Sequence, residues 1–106
     1  MGIEYVSVDA EYPMCCPVIL CDICNKQLTR EGVALRMESS TPQEPKRSPL
    51  YFAHRGGCYS TISATLEDLY GSGWLELSDN LKDFMTQLAH NFNTPLEHEY
   101  TQYKLT

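Results

Sequence analysis

Two short motifs, Cys21-Asp22-Ile23-Cys24 and His54-Arg55-Gly56-Gly57-Cys58, stand 29 residues apart in a chain of 106. Their chemistry constrains the fold more tightly than any other feature. Two residues between Cys21 and Cys24 let both thiolates of a tight turn face one metal ion, about 2.3 Å from each sulfur. That turn is half of a tetrahedral site, and His54 with Cys58 supplies the other half. A Cys3His set gives a zinc ion four soft or borderline ligands and leaves no open position, which is the pattern of a structural ion. The expectation is one structural Zn2+ per chain on Cys21, Cys24, His54 and Cys58. A chain of this length buries only ~60–70% of its unfolded surface, so a metal staple adds materially to a modest core.

Hydrophobic patterning places these motifs on elements of a single domain spanning 1–106. Ile3, Tyr5 and Val6-Ser7-Val8 favour a strand at 3–8. The apolar run Pro17-Val18-Ile19-Leu20 leads straight into the cysteine turn. Val33, Leu35 and Met37 alternate with Ala34, Arg36 and Glu38, and Leu50 to His54 form a further run. The two predict a β-hairpin of 33–38 with 50–54, its polar tip at 39–48 carrying two prolines. From Cys58 to Tyr70, Tyr59, Ile62, Leu66 and Leu69 recur at helical spacing, Glu67 and Asp68 face outward, and Gly71 and Gly73 end the helix. A helix start suits Cys58, because the partial positive charge there favours a thiolate. Trp74 to Leu77 read as a short strand, and Ser78 or Asp79 as the cap of an amphipathic helix over 80–92. Leu81, Phe84, Met85, Leu88 and Phe92 line one face of that helix, as a second core layer or, alternatively, a homodimer surface. The tail beyond Asn93, with Tyr100 and Tyr103, shows no clear period.

On these residues the stretch 20–70 resembles the treble-clef zinc domains. The knuckle Leu20-Cys21-Asp22-Ile23-Cys24-Asn25-Lys26-Gln27-Leu28 is similar to that of LIM-type modules, and Phe52 to Cys58 to their second ligand pair. The second pair has three intervening residues where the LIM pattern has two, and no second zinc module follows. The chain also resembles a loose set of small bacterial proteins with a CDIC knuckle and a later histidine and cysteine, a likeness that implies no function. The resemblance implies an α+β fold, a small treble-clef-like zinc domain with a β-hairpin and two helices, in which knuckle, hairpin and first helical turn share one zinc.

Charge and missing motifs narrow the function. Eight Lys and Arg against 14 Asp and Glu give a net charge of −6, a field that repels phosphate backbones. Three thiolates and one zinc make it more negative still. The longest apolar run, Met14 to Cys21, has eight residues and contains Pro17, far below the ~20 of a membrane-spanning helix. With no basic-then-apolar leader at the amino terminus, a cytoplasmic protein is expected. HExxH, GxGxxG and P-loop patterns are absent, and the CxxC precedes the histidine where a zinc deaminase needs the reverse order. The expected function is a non-catalytic structural-zinc domain acting as a protein-protein interaction or regulatory module. A nucleic-acid-binding zinc protein is the alternative, with Lys46, Arg47 and Arg55 as a weak basic cluster and Tyr51, Phe52 or Tyr59 as stacking residues. A redox-active thiol protein ranks behind both, because a thioredoxin-like CxxC precedes a long helix and this one leads toward a strand. Cys15 and Cys16 read as free or partly buried thiols, able to replace a ligand or to oxidise with Cys21, while His90 and His98 carry no role.

Overall fold

The computed structural model describes residues 2–7, 15–41, 43 and 46–94. Element order is β1 (Ile3–Ser7), β2 (Cys15–Ile19), β3 (Val33–Ser39), β4 (Tyr51–Ala53), α1 (Gly57–Tyr70), β5 (Trp74–Asn80) and α2 (Leu81–Asn93), an α+β arrangement of two antiparallel sheets and two helices. The aromatic tail with Tyr100, Tyr103 and His98, the end of the first expected strand at Val8, and part of the 39–48 tip lie outside the described residues. No helix among the described residues is long and apolar enough to cross a membrane.

β1 and β2 pair as a ribbon in which Ile3 faces Ile19 and Tyr5 faces Pro17. Proline, which has no N–H to donate, is tolerated there because a two-stranded ribbon has two edges. The apolar approach to the knuckle is therefore a strand in its own right. Gly2 anchors the ribbon to the main body: its carbonyl accepts from the Leu20 N–H, and a Cβ on it would sit 2.6 Å from the Phe52 ring.

The second sheet has the order β4-β3-β5. The expected hairpin forms, with Val33 opposite Ala53, Ala34 opposite Phe52 and Leu35 opposite Tyr51. Its ladder continues toward the tip, where the Ser48 N–H reaches the Met37 carbonyl and Ser39 reaches Lys46. Strand β5 extends three residues past the expected end at Leu77 and pairs with β3 over its whole length, from Val33 opposite Asn80 to Ser39 opposite Trp74. That makes β3 the central strand. Val33, Ala34 and Leu35 are consecutively buried instead of alternating, because each face has its own helix. Helix α1 covers the face of Leu35 and Met37, where Tyr59 and Ser63 donate to Glu76. Helix α2 covers the other face, Phe84 meeting Phe52 edge-on at 6.1 Å.

Three side-chain expectations are corrected. Leu69 does not join the α1 core face but is 67% exposed. With each residue turning about 100°, it falls roughly 70° from the centre of the face that Tyr59, Ile62, Ser63, Leu66 and Tyr70 define. The cap of α2 is neither Ser78 nor Asp79 but Asn80, the last residue of β5, whose Oδ1 accepts from the Lys82 N–H at 2.9 Å. Finally, the apolar stripe of α2 is only partly a core layer. Leu81 is buried and Phe84 half-buried, while Met85, Leu88 and Phe92 are exposed.

Candidate metal centre

The knuckle is a closed turn between β2 and β3. Leu20 bridges Gln27, the Cys21 N–H donates to the Lys26 carbonyl, and the Asn25 N–H returns to the Cys21 carbonyl at 2.9 Å. Asn25 carries the turn at φ 62°, a left-handed conformation that asparagine tolerates better than most residues. Asp22 fixes this turn to the hairpin. Its N–H donates to the Phe52 carbonyl at 2.8 Å, and its Oδ2 accepts from the Phe52 N–H at 2.7 Å.

The other two candidate ligands follow directly from β4. His54 is the next residue after Ala53, and Gly56, at φ 92°, turns the chain so that Cys58 falls in the first turn of α1. The Tyr59 N–H closes this turn onto the His54 carbonyl at 3.0 Å. Three separate backbone segments thus bring Cys21, Cys24, His54 and Cys58 together, with one ligand atom of each lying within 4.8 Å of all the others. Cys21 is buried, His54 and Cys58 are half-buried, and Cys24 is at the surface.

The histidine is oriented for coordination. Its Nε2 lies 3.1 Å from the Gln27 carbonyl oxygen, which can only accept, so Nε2 carries a proton and donates. Nδ1 is left facing the Cys24 Sγ at 3.3 Å. Holding the remote ring nitrogen on a backbone carbonyl fixes the tautomer and aims the other lone pair, as ligating histidines generally require.

Electrostatics point the same way. Burial pushes the Cys21 thiol up, but the N–H groups of Cys24, Ile23 and His54 and the His54 side chain outweigh it and draw the pKa down to about 6. The Ile23 N–H lies 3.4 Å from that sulfur. Cys58 goes the opposite way, to about 11, through desolvation and then the adjoining sulfurs of Cys21 and Cys24. A helix start is expected to favour a Cys58 thiolate; desolvation, and then the two neighbouring sulfurs, override the helix dipole. Three thiolates cannot share this volume without a compensating cation, and a divalent ion supplies one. The donor set also fits in size: a tetrahedral ion with metal–sulfur bonds of about 2.3 Å sets its ligand atoms roughly 3.8 Å apart, within the spread observed.

The four residues singled out by spacing are therefore the ones the fold assembles into a group that could hold one metal ion. Cys16 is a half-buried free thiol on β2 outside this group, and the Cys15 side chain lies outside the described residues. His90 sits exposed on α2. Spacing did not reveal Asp22 or Gln27, which position the ligands. Asn25, directly after the second cysteine, was a readable signal for the left-handed turn; the carbonyl of Gln27 leaves no mark on residue type.

The chain is thus an α+β protein built around a Cys3His cluster. Comparison with protein-family models, with curated proteins and with solved structures finds no match to it.

Proposed function

We propose that this chain is a structural-zinc domain of treble-clef type, holding one Zn2+ on Cys21, Cys24, His54 and Cys58, and that it serves as a non-catalytic protein-binding module. The observation carrying the reading is the convergence of four ligand atoms from knuckle, strand end and helix start to within 4.8 Å. Three thiolates and one imidazole suit zinc, and four protein ligands complete a tetrahedron with no position left for water or substrate. The ion would act on the fold, tying the knuckle to β4 and α1 so that its binding energy becomes folding energy.

Protein is favoured over nucleic acid as the partner by how the basic residues are used. Arg36 and Arg47 both reach Oε1 of Glu38 at 3.1 Å, and Arg36 also approaches Asp79 at 3.6 Å. These pairs engage two of the eight Lys and Arg of a chain whose net charge of −6 already opposes phosphate backbones.

Native mass spectrometry and thermal melting test the reading. One zinc per chain is expected in the wild-type protein. Cys58→Ser should lose metal and cooperative melting together, since structural zinc in small peptides binds with an apparent ~10–16 kcal/mol against a typical domain stability of ~5–15 kcal/mol. Cys15→Ser and Cys16→Ser should keep both. Stoichiometric metal surviving in Cys58→Ser, or a micromolar complex with random duplex DNA at physiological salt, would overturn it.

A further inference from the structure

Exposure rises steadily along the apolar stripe of α2, from Leu81 at 3% through Met85 at 43% and Leu88 at 51% to Phe92 at 87%. The helix starts on the sheet and leaves it, carrying large apolar side chains into solvent. Beside its exposed part runs an apolar groove of about 570 Å³ whose walls include Ile3, Val18, Leu28, Leu50, Phe84 and Leu88. Ridge and groove are neighbours on one surface, the condition for a patch that complements itself.

The sequence of α2 supplies the register. Phe84 and Phe92 stand four residues on either side of Leu88, about 6 Å away in each direction along the axis. A two-fold axis through Leu88 of two antiparallel helices sets Phe92 of each copy over Phe84 and the groove of the other, an isologous contact. Charge permits this. Residues 84–93 contain no Asp, Glu, Lys or Arg in a chain that is 21% charged, matching the depletion of charge found at interface centres. At about 100° per residue, Asp83 and His90 fall on the far side of the helix from the stripe, and Lys82 on its flank. In the antiparallel register Lys82 lies beside the carboxy-terminal end of the partner helix, where a cation is favoured.

We propose that α2 is the interface of a homodimer in which two copies pack antiparallel about Leu88 and each inserts Phe92 into the groove of the other. This deepens the protein-binding part of the proposed function by naming the partner as a second copy, and it does not depend on the metal. The helix is about 20 Å long, too short by itself for the extensive interface of an obligate dimer, so a weak, concentration-dependent dimer is expected.

Sedimentation velocity of the full chain from about 5 to 500 µM tests this, with metal content measured on the same samples. The expected result is a shift from a 12.1 kDa species toward twice that mass. Phe92→Asp should hold the chain monomeric and, at concentrations well below the dissociation range, melt as the wild type does, because Phe92 is 87% exposed and lies outside the core cluster of the described residues; Leu88→Asp should likewise hold it monomeric, and His90→Asp on the far side should leave the dimer intact. A chain monomeric throughout, a dimer indifferent to Phe92→Asp, or melting that falls on Phe92→Asp at concentrations where the wild type is itself monomeric would each overturn the proposal, the last by showing that the chain covers its own stripe. A zinc-loaded monomer would leave the metal reading standing, and a metal-free dimer would leave this one standing.

Discussion

Replacing Asp22 by alanine removes the group that ties the cysteine turn to the hairpin without touching a ligand. The carboxylate accepts from the Phe52 N–H at 2.7 Å, a charge-assisted bond in partly buried surroundings. Its loss leaves that N–H unpaired, a cost of about 1.5–3 kcal/mol for hydrogen bonds of this kind. The Asp22 N–H still holds the Phe52 carbonyl, so the knuckle loosens but does not detach. Residues that orient ligands typically account for about 10–100-fold in metal affinity, which matches the energy of the lost bond. Competition titration against a chromophoric zinc chelator should therefore show Asp22→Ala binding about 10–100-fold more weakly at unchanged stoichiometry. Asp22→Asn keeps an acceptor oxygen and should recover most of the difference. Wild-type affinity in Asp22→Ala would show that the zinc alone sets the knuckle geometry, and an equal loss in Asp22→Asn would show that charge, and not the bond to Phe52, matters.

Other outcomes follow from the same geometry. Cys21, lowered to about 6 from 9.0, favours the folded state fully above pH 9 and loses that contribution as pH falls toward 6, so acid should destabilise the chain; under the proposed zinc reading, protonation of the ligands should release the ion in the same transition, read by chelator absorbance and circular dichroism on the same samples. Tyr51 is pushed up to about 12 by burial and then by its contact with Tyr70; a raised folded pKa gives stability that is full below pH 10 and lost between 10 and 12, so alkaline melting curves should fall less steeply for Tyr51→Phe than for wild type. Phe52→Ala, at a buried position, should cost about 3–5 kcal/mol in urea titrations. Half-buried Phe84→Ala should cost roughly half as much, and the two should be non-additive because the rings touch.

How much of this was legible before the fold was known depends on where the information resides. Ligation belongs to residue type, so Cys21, Cys24, His54 and Cys58 could be read from spacing, and the tertiary structure brings those same four together. Orientation belongs to the backbone. The Gln27 carbonyl that donates nothing but position to His54 is chemically the same as every other carbonyl in the chain, and no pattern distinguishes it. Asp22 was visible only as a residue between two cysteines, since its partner, the N–H of Phe52, is 30 residues away. The two-residue period gave β3 its strand character but not its central place, which depends on β5 pairing along its whole length. The sequence of β5 reads short at its end because Ser78, Asp79 and Asn80 are weak strand formers and good caps, and of the three it is Asn80 that caps.

The same distinction applies to α2. Periodicity establishes that a helix has an apolar face and says nothing about how long the surface beneath it is. Here the sheet supports the first turn, through Leu81 and the Phe52–Phe84 contact, and ends before the helix does. Among the described residues nothing supports the end of this stripe, so either association covers it or its exposed Phe92 is replaceable by a polar residue with no effect on association. The measurement that separates these is the dissociation constant of Phe92→Asp set against that of wild type. Equality would make the stripe an idle consequence of helix length, whereas a loss of at least about tenfold, equivalent to 1.4 kcal/mol, would make it the working surface of the domain.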